Sequence, residues 1–188
     1  MVAARQSAVL AGGFVALLWL IEGLDAILPG RFEGSGIRPR SDAGMSGILF
    51  GPLIHADWAH LIGNSVPLLV LGFLLALSGL RTFLVVTALV WLTSGIGVWL
   101  IGSSLTVHVG ASGIVFGWIA YLVLRGVFAR NLWQIVLGVL VFAAYGSALW
   151  GVLPGQVGVS WEGHLFGALG GVVAAWWLRD GVEASIER

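Results

Sequence analysis

The sequence predicts an all-α membrane protein: a bundle of six transmembrane helices with a long membrane-associated first loop. Composition is the first indication, because the 188 residues are 59% hydrophobic and only 10% charged, whereas soluble domains carry about 25% charged residues. The mean hydropathy of +1.00 points the same way. Apolar runs also recur along the chain with lengths near the roughly 20 residues that cross a bilayer as a helix.

Six apolar segments are candidate spans: in chain order, residues 7–28, 58–78, 82–101, 112–128, 132–150 and 164–178. The first follows Arg5 and is similar to a signal peptide. It runs on to Leu28 without a small-x-small cleavage site, so we expect a retained helix. We see no internal repeat, and we expect one membrane domain over residues 1–188.

The first connection, residues 29–57, is much longer than the others. It mixes glycines and prolines with arginines, acidic residues and apolar side chains. Such amphipathic material predicts a loop that is structured at the membrane surface, since a free linker has no need of it.

Arginine placement predicts the orientation. Six arginines lie on the side of the N-terminus, and only three lie in the first loop. By the positive-inside rule both termini are then cytoplasmic in a multi-pass protein of the cell membrane. The six are Arg5, Arg81, Arg125, Arg130, Arg179 and Arg188; the three are Arg31, Arg38 and Arg40.

Composition also excludes several classes of function. The net charge is zero, which gives no electrostatic basis for a nucleic-acid partner. The absence of cysteine excludes disulfides, zinc–thiolate sites and iron–sulfur clusters. There are four histidines but no H-E-x-x-H pattern, and no carboxylates are placed beside them as ligands. We therefore expect neither a metal site nor a cofactor.

Polar residues mark the starts of the even-numbered spans. His60 and Asn64 lie near the start of the second span, Ser112 starts the fourth, and His164 starts the sixth. Spans two, four and six begin on the same side of the membrane whichever way the protein faces. All four side chains are therefore expected at similar depth near one face.

Small residues indicate that the fourth and sixth spans pack together. Gly113 and Gly117 form a GxxxG pair, and Gly163, Gly167 and Gly171 form two overlapping pairs, with Ala168 in the same strip. Small residues four apart let two helix backbones approach closely in lipid. Ser112 and His164 are then expected to face each other.

Two interpretations of Ser112 and His164 stay open on the residues alone. Serine often serves as a small interface residue in membrane helices, and a histidine at the interface can bond to a carbonyl or a headgroup. The functional alternative is a nucleophile and its general base. Gly110 and Gly113 would then allow a tight turn and close substrate approach, while the helix start offers free N–H groups to an oxyanion.

The pair His60 and Asn64 lies on one helical face, because the residues are four apart. They are either a polar packing pair or donors of an oxyanion hole. Asp57 is a candidate cap of this helix. We interpret His55 and His108 as structural residues that hold loops by hydrogen bonds.

Phe116 lies one turn after Ser112 and can pack against the imidazole of His164, although a lipid or core contact is an equal alternative. Glu162 is adjacent to the predicted start of the sixth span. We expect it to be a surface acid.

Taken together, these motifs resemble the rhomboid family of intramembrane serine proteases. The matching residues are His55-x4-His60-x3-Asn64, Gly110-Ala111-Ser112-Gly113, and Gly163-His164 followed by the strip of small residues. The resemblance covers about residues 45–178 and implies a six-helix rhomboid-like core. One departure stands out, since many members carry a Trp-Arg pair in the first loop where this chain reads Gly36-Ile37-Arg38-Pro39-Arg40.

The resemblance implies roles for these residues. Ser112 would be the nucleophile and His164 the base, while Asn64, His60 and the backbone N–H of Ser112 would form the oxyanion hole. Substrates would be transmembrane proteins with helix-weakening segments, cut at a site open to the outer face. Two alternatives remain: a catalytically inactive rhomboid-like protein that binds membrane helices, and a small transporter with a histidine proton relay.

Overall fold

The computed structural model describes residues 2–28 and 31–179. Within these ranges the regular structure is helical, and its only β feature is an isolated antiparallel bridge between Ile37 and His108. The all-α prediction is confirmed. Three residues considered above lie outside the described ranges: Pro29 and Gly30 of the first loop, and Arg188, one of the six arginines expected on the cytoplasmic side.

The helices follow the predicted spans. They are α1 (Val2–Ile27), α2 (Gly47–Phe50), α3 (Trp58–Ala76), α4 (Leu80–Ile101), α5 (Ser112–Phe128), α6 (Leu132–Tyr145) and α7 (Trp161–Trp177).

Four helical segments are long and apolar enough to cross a membrane: Ala3–Ile27, Trp58–Ala76, Leu80–Ile101 and Leu132–Val152. Such segments identify a membrane protein. Helices α5 and α7 have 17 residues each and so extend about 26 Å. The six-span count itself stays a prediction.

Three boundaries differ from the sequence expectation by three residues or more. Helix α1 begins at Val2, five residues early, because Ala3, Ala4 and Arg5 all favour the helical backbone. The fifth span is an α-helix only to Tyr145 and continues as a 3₁₀ helix over Gly146–Val152. The sixth begins at Trp161 rather than His164.

The early start of α7 places Gly163 inside the helix. Gly163 is buried against Val98 and Ser94 of α4, which agrees with its predicted role as a packing residue. The Ser94 hydroxyl donates a hydrogen bond to the Gly163 carbonyl oxygen at 2.9 Å. His164 consequently lies at the end of the first helical turn rather than at its first residue.

Helix α5 occupies the centre of the bundle. It packs against α3, α4, α6 and α7, and α7 also packs against α4. Trp118, Ile119 and Leu122 of α5 are fully buried. Helix α1 packs on α3, and its buried residues Val15 and Leu18 belong to the same hydrophobic core. Close packing of this kind holds membrane helices together, because lipid offers no hydrophobic drive for their association.

The first loop is structured where it is described. It contains short 3₁₀ helices at Phe32–Ser35, Asp42–Gly44 and Gly51–Leu53 in addition to α2. Tryptophan side chains of α4 hold it: Trp91 donates to the Ile48 carbonyl at 2.9 Å and Trp99 to the Ser41 carbonyl at 3.1 Å. The loop is therefore fixed against the bundle beside the starts of α3 and α5.

Candidate active site

The side chains of Ser112 and His164 are in direct contact. His164 Nε2 lies 2.8 Å from Ser112 Oγ, a normal distance for a hydrogen bond. Ser112 is the first residue of α5 and His164 lies in the first turns of α7. The contact therefore joins the same ends of two neighbouring helices, where the parity of the spans predicts it.

A backbone carbonyl sets the tautomer of His164. Its Nδ1 lies 2.9 Å from the carbonyl oxygen of Gly151. A carbonyl can only accept, so Nδ1 carries the proton, and Nε2 of the neutral ring is the acceptor for the Ser112 hydroxyl. This is the protonation state that a general base requires.

Phe116 fixes the plane of the imidazole. Its ring is stacked on His164 with a centroid distance of 3.9 Å and an interplanar angle of 7°. A Cβ on Gly151 would lie 2.9 Å from Phe116 Cζ and 3.1 Å from His164 Nδ1. The glycine thus leaves room for the carbonyl and the aromatic ring to reach the same histidine.

Below the dyad, α5 and α7 approach to backbone contact. A Cβ on Gly167 would overlap the carbonyl oxygen of Gly113, and one on Gly171 would overlap that of Gly117. Only glycine permits this separation. Ala168, predicted to belong to the same strip, is half-buried.

The dyad lies in the wall of a cavity of about 670 Å³ that His60 and Asn64 also line. Asn64 is buried, with 6% exposure. One of its two amide N–H groups donates to the His60 carbonyl at 3.1 Å. The Asp57 carboxylate caps α3, since Oδ1 accepts from the His60 N–H at 2.7 Å. Polar side chains at the starts of α3, α5 and α7 therefore line one cavity.

Gly110 allows a tight turn of the backbone two residues before Ser112. Its φ of +113° lies in the left-handed region, which glycine adopts without strain. A Cβ at this position would also lie 2.7 Å from His60 Nε2. The residue thus serves both the turn into α5 and the space needed by the His60 ring.

A family model described as a Rhomboid domain matches residues 42–181. The chain belongs to the rhomboid family. The match covers the first loop from its middle onward and every helix that contributes to the cavity.

Three mycobacterial proteins illustrate the similarity, and each is described as an uncharacterized protein. Those of Mycobacterium tuberculosis and Mycobacterium bovis are 50% identical to this chain over 173 residues, covering 88% of it and 72% of their own length. The protein of Mycobacterium leprae is 48% identical over 173 residues, with 88% and 68% covered. The descriptions of these relatives carry no assignment of activity.

His55 does not hold a loop by hydrogen bonding, contrary to our interpretation. The side chain is fully buried, and neither ring nitrogen has a hydrogen-bond partner among the described residues. Instead its ring meets His60 edge-on at 5.1 Å. Burial lowers the pKa of His55 to about 4, and the neighbouring His60 adds to this effect. His55 thus packs as a neutral aromatic ring behind the cavity wall.

This burial predicts a specific loss of stability in acid. Well above pH 6.5 His55 is neutral in both the folded and the unfolded protein. Between pH 6.5 and pH 4 the imidazole is protonated in the unfolded chain but stays neutral in the folded one. Stability should fall across this window by up to about 3 kcal/mol. Thermal unfolding in detergent at several pH values tests this, with His55→Phe expected to reduce the slope of stability against pH. An equal slope in both proteins would contradict it.

Glu162 also departs from the expectation of a surface acid, because its side chain is buried with 6% exposure.

Ser94 and Ser160 are polar residues near the dyad that the sequence analysis did not single out. A serine in the middle of an apolar span, followed by glycine, is the signal for Ser94. The Gly151 carbonyl leaves no such signal, because every residue has a carbonyl.

Proposed function

We propose that the protein is an intramembrane serine endopeptidase that cleaves peptide bonds in or next to transmembrane helices of other proteins. The observation that carries the proposal is the hydrogen-bonded Ser112–His164 pair with its proton fixed on Nδ1. A nucleophile, a base within hydrogen-bond reach and a third group that orients the base constitute the arrangement that such chemistry needs. Here the third group is a backbone carbonyl rather than a carboxylate.

The proposed reaction has two steps. Ser112 Oγ attacks the substrate carbonyl carbon while His164 Nε2 takes the hydroxyl proton. The tetrahedral intermediate collapses, the C–N bond breaks, and His164 returns the proton to the leaving amine. Water then attacks the acyl-enzyme, with His164 again as base, and a carboxylic acid product leaves with Ser112 restored.

The intermediate needs donors for its oxyanion. We assign this role to the backbone N–H of Ser112, the side chain of Asn64 and the ring of His60. The N–H of a first helical residue has no acceptor within its own helix, and both side chains line the same cavity as the dyad. Asn64 has a second amide N–H beyond the one bonded to His60.

Asn64→Ala should lower kcat by about 10² to 10³-fold, the usual effect of removing one oxyanion donor. KM should change little, because the donor acts on charge that develops only in the transition state. Steady-state cleavage of a fluorescent transmembrane peptide measures both constants. An unchanged kcat in a folded variant would show that Asn64 is not a donor to the oxyanion.

The environment of the proposed site is the outer face of the cell membrane. With N- and C-termini in the cytoplasm, α3, α5 and α7 begin on the outer side, and the cavity at their starts opens there. Water for the second step can then enter from that side. We propose the lipid bilayer and membrane-spanning substrates as the partners, with no nucleic acid and no cofactor.

Substrates should have a weakened helix near the cleaved bond. A peptide bond inside a helix is shielded by its own hydrogen bonds, and glycine or proline lowers the free energy needed to expose it. Incubation of the purified protein with a panel of single-span peptides, followed by mass spectrometry of the products, tests the proposal. Cuts beside Gly or Pro are expected, and intact peptides throughout would overturn it.

A further inference from the structure

A second histidine–serine contact lies one step outside the dyad. His108 Nδ1 is 2.8 Å from Ser160 Oγ, the same distance that separates His164 from Ser112. His108 precedes Ser112 by four residues, and Ser160 precedes His164 by four. The two contacts therefore join the same pair of chain segments, with the order of serine and histidine exchanged.

The hydroxyl of Ser160 is committed to this contact. Serine at the position before a helix usually accepts a hydrogen bond from the first turn. Ser160 occupies that position in α7, but its side chain makes no such cap. Its hydroxyl bonds to His108 instead, at the cost of the usual cap.

The ring of His108 is held from several sides. Nε2 lies 3.1 Å from Thr106 Oγ1 and 3.3 Å from the Ser103 carbonyl oxygen. The backbone of His108 makes two reciprocal hydrogen bonds with Ile37 of the first loop, both at 2.9 Å. The ring and backbone of His108 are therefore held in place, and Ser160 is hydrogen-bonded to this ring.

Both ends of the contact lead directly to the dyad. The Ser160 carbonyl accepts from the His164 backbone N–H at 3.2 Å, so Ser160 belongs to the turn that carries His164. On the other side Gly110, between His108 and Ser112, donates its N–H to the Gly51 carbonyl at 2.9 Å. Each segment is thus short and bonded, and a shift at His108 or Ser160 moves Ser112 or His164.

The dyad consequently lies between two contacts that join the chain before and within α5 to the chain before and within α7. On its inner side Gly167 rests on the Gly113 carbonyl and fixes the separation of α5 and α7. On its outer side the chain before α7 runs through Gly155 and Gly158, both with positive φ and with open space around them. The His108–Ser160 contact is what joins this segment to the loop before α5.

We propose that His108 and Ser160 are positioning residues, which hold the start of α7 against the loop before α5 so that His164 and Ser112 stay in register. The inference rests on the proposed peptidase function. It concerns the rate of the chemical step and not the binding of substrate, although both side chains also line the cavity.

Two matched substitutions of His108 separate this contact from simple packing. The amide of His108→Asn lies near the position of Nδ1 and can keep the bond to Ser160. The longer side chain of His108→Gln places its amide near Nε2, so the contacts to Thr106 and Ser103 remain while the bond to Ser160 is lost. Ser160→Ala removes the same bond from the other side without removing a helix cap.

The test measures kcat and KM on a transmembrane peptide and the rate at which a fluorophosphonate labels Ser112. Ser160→Ala and His108→Gln should lower kcat and the labelling rate by about 10- to 100-fold, the scale of a catalytic geometry displaced by about 1 Å. KM and Tm should stay near wild type, and His108→Asn should restore most of the rate. The double variant Ser160→Ala with His108→Gln should be no slower than either single variant, since both remove one bond.

Three results would overturn the inference: unchanged kcat in Ser160→Ala, a loss confined to KM, or His108→Asn as slow as His108→Gln. Failure of the peptidase function itself has a different signature. Wild-type protein would then neither cleave the peptide nor label at Ser112, and the positioning role would be refuted with it.

Discussion

Ser112→Ala should abolish cleavage of transmembrane substrates by the purified protein. Loss of the nucleophile in a soluble serine protease lowers kcat by roughly 10⁶-fold, and we expect an effect of that order. The physical reason is that Ser112 Oγ is the atom held 2.8 Å from His164 Nε2. Without the hydroxyl the base has no proton to take and no covalent intermediate can form.

The measurement is product formation over a long incubation, with protein purified from an expression host and checked for folding by its Tm. Ser35→Ala is a matched control, because Ser35 is exposed in the first loop and does not line the cavity that contains the dyad. It should cleave at the wild-type rate. Cleavage by Ser112→Ala above the level of a mock purification would refute the assignment of the nucleophile.

Gly167→Ala should be among the most damaging of the conservative substitutions in the helices. Its Cβ would overlap the Gly113 carbonyl oxygen, a backbone atom that no side-chain rotation can move. Helices α5 and α7 must then separate at the level of the dyad. Overpacking of a tight core commonly costs about 1–3 kcal/mol, and a shift of about 1 Å between catalytic groups can reduce the rate about 10²-fold.

Gly13→Ala provides the comparison for this prediction. Gly13 lies in α1 with nothing within 4 Å of an added Cβ, so alanine should be neutral or slightly stabilising through its better helix propensity. Thermal unfolding and kcat are measured for both variants. If Gly167→Ala unfolds and cleaves like Gly13→Ala, the close contact between α5 and α7 is not what aligns the dyad.

Most of this architecture could be predicted from the sequence because membrane helices obey few and strong rules. Each span must be apolar and about 20 residues long, and alternate spans must start on the same side. Ser112 and His164 therefore had to lie near one face, and the glycines four apart indicated which helices meet. The proximity of the two side chains could therefore be predicted from the sequence, and their distance is a finding of the structure.

The remaining features depend on contacts that sequence patterns do not encode. The group that orients His164 is the backbone carbonyl of Gly151, delivered by a 3₁₀ continuation of α6. The start of α7 was misplaced because Trp161 and Glu162, which precede the strip of small residues, are already helical. His55 was expected to form hydrogen bonds, yet it is buried as a neutral ring whose nitrogens have no hydrogen-bond partner among the described residues, and this depends on the tertiary surroundings.

The central claim is that His164 activates Ser112 as a nucleophile, and covalent labelling tests it most directly. Folded protein treated with a fluorophosphonate and analysed by peptide mass spectrometry should carry one adduct on Ser112. His164→Ala, with an unchanged Tm, should carry almost none in the same time. Absence of the adduct from folded wild-type protein would contradict the account and favour a role in binding membrane helices without cleaving them; equal labelling of His164→Ala would contradict the role of the histidine.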